Sequence, residues 1–174
     1  MDTKTLETSK MTDPGALAFW TAYLRSWGIN RDFFELIPED KYDFRMVDSL
    51  ETKSDTPRES VAHQISVQRS YLDGAQAGEI KFGSISVKTL AFKEMSKEKL
   101  LKELANANRE LFTFLCDPEI NKKVTRVPWS RNPVGVTVAL WSLNSHEILH
   151  TGWNLALMDH LRIKRYPSLI AMWG

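Results

Sequence analysis

The longest uninterrupted helical pattern of the chain runs over residues 132–164 and reads NPVGVTVALWSLNSHEILHTGWNLALMDHLRIK. Asn132-Pro133 is a helix-start signal, because proline is favoured in the first helical turn, and only Gly135 and Gly152 interrupt the helical period after it. Spacings of three and four residues define an inward-facing seam. Its members are Val136, Ala139, Leu143, His146, His150, Trp153 and Leu157. The stretch predicts a long helix packed within an all-α fold.

Two histidines occupy this seam among apolar neighbours. His146 and His150 are four residues apart, so their side chains project about 40° apart on one side of a helix and can reach one ion. An unpaired polar group in a helical core costs about 1–3 kcal/mol, so both imidazoles need partners. A metal ion supplies one partner for both. The alternative is that each histidine bonds separately to a carbonyl or carboxylate of another helix.

The third metal ligand is predicted to be His63, which lies in an earlier helix. Residues 56–59, Thr-Pro-Arg-Glu, combine an N-cap threonine, a proline at the first helical position and a glutamate that completes a capping box. His63 lies in the first two turns after this signal. His160 is different, because it lies about 15 Å of helix rise beyond His150 and cannot share the site. The predicted ligands are therefore His63, His146 and His150.

Two further helices complete the predicted fold. The first begins at Asp13-Pro14 and repeats apolar residues at helical spacing as far as Trp27, with a kink or end at Gly28. The third runs from the N-cap Ser96 to the Asp117-Pro118 stop. Residues 78–92 are predicted as a loop with an extended piece, and residues 122–129 as a short strand or extended connection. The prediction is four helices joined by long connections.

Length and composition set the broad class of the protein. With 174 residues and 43% hydrophobic content, residues 13–174 are expected to form one domain, after a frayed polar segment over residues 1–12. Lys and Arg number 23 against 22 acidic residues, which gives no electrostatic reason to expect nucleic acid or a membrane as partner. No run reaches the roughly 20 apolar residues that span a bilayer. The single Cys116 and the absence of a signal-peptide pattern predict a cytoplasmic protein.

Residues 146–150 also match the H-E-x-x-H string of zinc proteases, in which the glutamate activates a zinc-bound water. A metal-dependent hydrolase is therefore an alternative, with Glu147 as its catalytic candidate. Only a short tail comes after this string, and Asp159 and His160 are its sole ligand candidates. Glu147 is otherwise expected to be a solvated or ion-paired residue beside the seam, or a residue that orients a ligand or a bound water.

Several motifs together resemble a known family. They are the LIPED segment over residues 36–40, His63 early in its helix, the His146/His150 pair with Gly152, and the tail LRIKRYP over residues 161–167. On these residues the chain, from Asp13 to Gly174, resembles the DinB/YfiT-like superfamily of metal-binding four-helix bundles. The family pattern His-x-x-x-His-Arg-Gly-Gln is changed here to Thr151 and Trp153 at the Arg and Gln positions. These departures do not touch the ligands, but they bear on substrate preference.

The resemblance implies an up-down-down-up bundle in which the second and last helices face each other around nickel, zinc or another divalent ion. Three neutral imidazoles leave positions open for water or substrate, as in a catalytic site. The activity implied is metal-dependent thiol chemistry, a transferase or isomerase in which the metal activates a bacillithiol-like small thiol that attacks an electrophile. Many relatives are dimers, so a homodimer is expected. The alternative function is a metal-holding stress, binding or oligomerisation protein without turnover.

Other residues are weaker candidates for the site. Trp153 is one turn beyond His150 on the seam and is predicted to form a pocket wall. Tyr71, eight residues after His63, is predicted either to line the pocket or simply to pack in the core. Cys116 has no basic cluster near it in sequence, so it is predicted to be a buried structural thiol and not a nucleophile.

Overall fold

The computed structural model describes residues 8–82 and 85–173, and most of these residues are helical. The helices are α1 (Pro14–Leu36), α2 (Pro57–Ala77), α3 (Ile85–Lys93), α4 (Lys97–Leu115), α5 (Val136–Leu161) and α6 (Pro167–Trp173). The short strands β1 (Val124–Thr125) and β2 (Val134–Gly135) form an antiparallel pair. The prediction of a helical protein with a short extended segment before the last long helix is confirmed. Within the described residues, no helix is long and apolar enough to cross a membrane.

The N-terminal boundary differs from the prediction. Of the predicted frayed segment, residues 1–7 lie outside the described residues, whereas residues 8–12 lie within them. Thr8–Lys10 forms a 3₁₀ helix and Met11 is buried. Ordered structure is therefore already present before the predicted boundary at residue 13.

Helix α1 begins as predicted and ends later. The Asp13 side chain accepts a hydrogen bond from the backbone N–H of Ala16 at 2.7 Å, which caps the first turn. The helix does not end at Gly28, as one of the two predicted alternatives had it, but continues to Leu36. A glycine costs a helix only about 1 kcal/mol relative to alanine. Burial of Phe33 and its neighbours in the next two turns outweighs that cost.

Helix α2 has the capping box that its sequence predicts. The Thr56 hydroxyl accepts from the backbone N–H of Glu59 at 3.1 Å, and the Glu59 carboxylate accepts from the backbone N–H of Thr56 at 3.0 Å. The helix ends at Gly78, whose φ of 81° lies in the left-handed region that favours glycine. These two ends fix which turns of α2 meet α5.

Two connections differ from the prediction. The predicted loop over residues 78–92 contains α3, which packs along α2, and such tertiary packing is not visible in sequence periodicity. The predicted helix start at Asn132-Pro133 is also wrong, because Val134 and Gly135 pair with β1 and α5 begins at Val136. The tail after α5 forms the additional helix α6.

Contacts between the long helices give their directions. Along α1, Phe19 and Asn30 contact Trp141 and Glu147 of α5 in the same order, so the two helices run parallel. Along α2, the order of contacts with α5 is reversed, as shown by the pairs Ser60–His150 and His63–His146. Helix α4 runs antiparallel to α1, as shown by the pairs Trp20–Phe112 and Ile37–Lys97. Helix α5 therefore lies between α1 on one side and α2 on the other.

Candidate metal centre

Three histidines meet where α2 crosses α5. His63 Nε2 lies 3.1 Å from His146 Nε2, and His150 Nε2 lies 3.2 Å from the same atom. We call these three residues the histidine cluster. Its side chains are half-buried, and its ligand atoms all lie within 4.8 Å of one another. The structure thus brings together the three residues that the sequence predicts, and this cluster can hold a metal ion.

Helix geometry explains why these atoms converge. His146 and His150 are one turn apart on the side of α5 that faces α2, so their rings lie 4.5 Å apart between centroids. His63 is on the second turn of α2 and reaches this pair because it lies on the face of α2 that meets α5, one turn after Ser60. The buried seam residues Val136, Leu143 and Leu157 anchor α5 on either side.

The donor set fits a divalent ion better than it fits hydrogen bonding among the three rings. A ring nitrogen offers either one proton or one lone pair. His146 Nε2 therefore cannot make full hydrogen bonds to both neighbouring Nε2 atoms. Imidazole nitrogens at about 2.0–2.1 Å from one ion are spaced by about 2.9 Å in octahedral and about 3.4 Å in tetrahedral geometry. The distances from His146 Nε2 to its two neighbours, 3.1 and 3.2 Å, fall between these values.

Burial also favours the neutral form of all three rings. It lowers the pKa of His63. Burial, with the adjacent imidazoles, lowers the pKa of His146 to about 4 and that of His150 to about 3. At pH 7 the three rings are therefore neutral, and each has a lone pair to offer to a metal.

A serine that the sequence analysis did not identify contacts the cluster from α2. Ser60 Oγ lies 3.2 Å from His150 Nδ1 and accepts a hydrogen bond from Gln64 Nε2 at 3.3 Å. With Nε2 of His150 on a metal, the ring proton sits on Nδ1 and donates to Ser60. The position of Ser60 one turn before His63 on the same helix is the sequence feature that could have indicated this contact.

Two members of the cluster, His146 and His150, form part of the wall of an open pocket of about 480 Å³. The lining residues are Lys53, Ser54, Asp55, Ser60, His146, Leu149, His150 and Trp153. Trp153 is half-buried there, with its ring edge-on to Phe33 at 6.4 Å between centroids. Tyr71 is not part of this lining and packs against Phe82 and Trp129. Lys53 and Asp55 were missed by the sequence analysis, although Asp55 immediately precedes the α2 capping box.

Glu147 faces away from this pocket, towards α1. It is 1% exposed, and its carboxylate accepts a hydrogen bond from Asn30 Nδ2 at 2.8 Å. Burial raises the pKa of Glu147 to about 7, against the opposing effect of the Asn30 hydrogen bond. The expectation of a solvated or ion-paired residue is wrong, because packing of α1 on α5 encloses this side of the helix.

Asn30 gathers a buried polar network on that side of α5. Its amide nitrogen donates to the Glu147 carboxylate and backbone carbonyl, and its amide oxygen accepts from Thr151 Oγ1 and Asn154 Nδ2, both at 3.0 Å. We call these four residues the Asn30 network. Thr151, one of the two departures from the family pattern, therefore packs against α1 and does not line the pocket.

The remaining candidates lie outside the cluster. His160 packs against Phe44, with 5.5 Å between ring centroids, and is exposed, as expected for a histidine that cannot share the site. Cys116 is half-buried at the end of α4, and desolvation raises the pKa of its thiol, which disfavours the thiolate. A larger cavity of about 590 Å³ lies beside Arg45 and Arg58. Both arginines are already paired with carboxylates, so it is a weaker candidate site.

Comparison with known proteins gives no match to any protein-family model or to any curated protein. The family resemblance seen in the sequence therefore stays a prediction. The case for a function depends on the geometry of the histidine cluster and its pocket.

Proposed function

We propose that this protein is a metal-dependent enzyme that binds a divalent ion, nickel or zinc, through His63, His146 and His150 and joins a small thiol to an electrophile. The observation that carries the proposal is the convergence of three neutral Nε2 atoms, two of them on histidines that line an open pocket. Three protein ligands leave coordination positions for a substrate, as in catalytic zinc sites. A bacillithiol-like thiol is the substrate class that the family resemblance implies.

The proposal includes a DinB-like four-helix bundle made of α1, α2, α4 and α5. The helix directions support it, because α1 and α5 run one way and α2 and α4 run the other. This is the up-down-down-up order expected from the resemblance. The cytoplasmic location proposed with it suits a thiol substrate, which needs a reducing compartment.

The chain's own residues have distinct parts in this proposal. A bound divalent ion would lower the pKa of a coordinated thiol or water. Ser60 holds the His150 ring in the orientation that presents Nε2. Trp153 and Leu149 give the pocket an apolar wall for the electrophile, while Lys53 and Asp55 place one charge of each sign at its edge.

Metal analysis of the purified protein tests the first part of the proposal. We expect stoichiometric nickel or zinc in the wild type, and loss of that metal in His63→Ala and His150→Ala. His160→Ala is the matched control, because His160 is an exposed histidine near the end of the same helix as His150. A wild type without stoichiometric metal after growth in metal-supplemented medium would contradict the proposal.

Thiol conjugation tests the second part. The metal-loaded protein is incubated with bacillithiol, glutathione or cysteine and monochlorobimane, a general electrophile. We expect at least one thiol to be conjugated faster than in buffer, and a chelator to abolish the difference. Rates equal to buffer for every thiol, in a protein that holds its metal, would support instead the non-catalytic metal-binding function.

The hydrolase alternative is disfavoured by the position of its glutamate. An H-E-x-x-H hydrolase needs this carboxylate beside the metal-bound water. Glu147 instead bonds to Asn30 on the α1-facing side of α5 and is absent from the pocket lining.

A homodimer is also part of the proposal, and the outer face of α5 supports it. That face has no charged residue between Val138 and Ala156, and four of its large side chains are exposed, namely Val138, Trp141, Ile148 and Leu149. Uncharged faces of this kind often mark protein–protein contacts. Light scattering on the protein eluting from a size-exclusion column is expected to give twice the 20.0 kDa chain mass. The Ile148→Lys variant is expected to have the monomer mass. A wild-type monomer at micromolar concentration would contradict this part alone.

A further inference from the structure

Each of the four long helices places in the core an uncharged polar side chain with an unpartnered polar atom. These residues are Tyr23 of α1, Gln68 of α2, Asn108 of α4 and Asn144 of α5, and we call them the polar layer. Their exposures are 0%, 1%, 3% and 7%. In each of them, at least one side-chain polar atom has no hydrogen-bond partner among the described residues.

Contacts along α1 and α5 bring two members of the layer to one level. Trp141 of α5 meets Phe19 of α1 edge to face, with 5.9 Å between ring centroids. Asn144 is three residues past Trp141, and Tyr23 is four residues past Phe19 and stacks on it at 5.3 Å. Tyr23 and Asn144 are thus each about one turn beyond the Phe19–Trp141 contact. Because α1 and α5 are parallel, both lie at the same height along the helix axes.

The members from α2 and α4 lie at that height too. Gln68 lies between His63, which contacts His146, and Tyr71, which hydrogen bonds with Ser142. It is therefore level with the middle of the α5 segment 142–146.

The height of Asn108 follows from the contact between Trp20 of α1 and Phe112 of α4, whose ring centroids lie 5.3 Å apart. Asn108 is one turn before Phe112, and Tyr23 is one turn after Trp20. Because α1 and α4 are antiparallel, these two turns lie on the same side of the contact. All four members of the polar layer thus lie at one height in the core.

The unpartnered atoms define what could bind there. They are Tyr23 Oη, Gln68 Nε2 and Oε1, Asn108 Oδ1 and Asn144 Oδ1, together with Oε1 of the neighbouring Gln64. Amide oxygens require donors, whereas the Gln68 amide nitrogen requires an acceptor. A cation would satisfy only the oxygens and an anion only the donors. Water is both donor and acceptor, and each buried water makes about three hydrogen bonds.

We propose that the polar layer and Gln64 bind a cluster of about two internal water molecules, at about three hydrogen bonds each. These water molecules extend the hydrogen-bonded chain that runs from His150 through Ser60 to Gln64. The surroundings of the histidine cluster are then wet on the core side as well as in the pocket. The inference is independent of the proposed function, because it needs neither metal nor substrate.

Magnetic relaxation dispersion of water oxygen-17, on the full-length protein, counts waters held longer than the tumbling time. We expect Asn108→Leu, a change of similar volume, to lose one or two of the waters that the wild type holds. Asn106→Leu is the matched control, because Asn106 lies on the same helix and bonds to Glu103 near the surface. An Asn108→Leu protein with the wild-type number of long-lived waters would overturn the proposal.

A second variant removes only one hydroxyl and avoids repacking. Tyr23→Phe is expected to lower the urea midpoint of unfolding and to remove one long-lived water, because the Tyr23 hydroxyl is bonded to the proposed internal waters. Tyr166→Phe is its control, since the Tyr166 hydroxyl donates to the backbone carbonyl of Ile29 and its loss lowers the midpoint without changing the water count. An unchanged or higher midpoint in Tyr23→Phe means that its hydroxyl was unbonded, and overturns the proposal.

Discussion

The two sides of α5 carry polar residues at the same helical spacing but differ in how those residues are partnered. On the side facing α1, the Asn30 amide makes all four hydrogen bonds that it can make, and the four members of the network are between 0% and 3% exposed. On the side facing α2, the histidine cluster is half-buried and open to a pocket. His146 Nε2 contacts two ring nitrogens but can make a full hydrogen bond to only one of them.

This difference separates a structural polar group from a candidate ligand site. The Asn30 amide is fully bonded within its network, so it fixes the position of α1 on α5; Asn154 Oδ1 is buried there without a partner among the described residues. The histidine cluster is incomplete and accessible, which is what a ligand site requires. Substitutions on the α1 side should therefore change stability, and substitutions on the α2 side should change metal binding.

The largest effect is expected from Asn30→Ala. It leaves the Glu147 carboxyl and the Asn154 amide without their buried partner, so the free energy of unfolding should fall by about 3–5 kcal/mol. Urea unfolding of metal-free protein measures this change. Asn106→Ala, near the surface, should cost under about 0.5 kcal/mol. Equal effects of the two variants would show that the Asn30 network is not structural.

Stability should also depend on pH through Glu147. Its pKa is about 7 when folded, against 4.5 for an ordinary glutamate, so the folded state holds the proton more tightly. Its contribution is therefore fully present below pH 4.5 and is lost as the pH rises to 7, a loss of up to about 3 kcal/mol.

Glu147→Gln, which mimics the protonated acid, removes this dependence. Because the histidines titrate equally in both proteins, the difference between wild type and variant isolates Glu147. Urea unfolding between pH 5 and pH 8 in the presence of chelator measures it. A difference that is constant over this range would show that Glu147 is ionised in the folded state.

Added metal should stabilise the folded protein through the histidine cluster and independently of the Asn30 network. At 100 times the dissociation constant, a metal that binds the folded state stabilises it by about 2.7 kcal/mol. We expect this gain in the wild type and in Asn30→Ala, but not in His63→Ala. Thermal unfolding with and without nickel or zinc is the measurement. A loss of the gain in Asn30→Ala, at temperatures where that variant is folded, would show that the two sides are coupled.

The smallest effect is expected from Thr151→Val, which keeps the side-chain volume and removes the hydroxyl that donates to Asn30. The free energy of unfolding should fall by about 1 kcal/mol, while metal affinity stays unchanged. Thr113→Val is the control, because the exposed Thr113 hydroxyl donates to the backbone carbonyl of Arg109 in its own helix. A tenfold loss of metal affinity in Thr151→Val would place this residue in the metal site.

The histidine side of α5 could be predicted from sequence, and the Asn30 side could not. The i, i+4 spacing of His146 and His150 and the capping box before His63 are local signals, and the structure confirms both. The bond between Asn30 and Glu147 joins residues 117 apart, and nothing local in either stretch indicates it. The H-E-x-x-H neighbours of Glu147 suggest a catalytic residue, whereas its surroundings are set by the packing of α1.

The missed elements have a similar cause. Helix α3 depends on packing against α2, and strand β2 on pairing with β1 ten residues earlier in the chain. Neither partner is visible in the local sequence period. The caps of α1, α2 and α4 were predicted because Asp13, Thr56 and Ser96 each bond within their own first turn.

X-ray absorption fine structure at the metal edge of the nickel- or zinc-loaded protein tests the metal centre most directly. We expect three imidazole nitrogens at about 2.0–2.1 Å from the ion, and fewer in His63→Ala. A spectrum without imidazole scattering, or one that His63→Ala leaves unchanged, would contradict the assignment of His63, His146 and His150 as a metal centre.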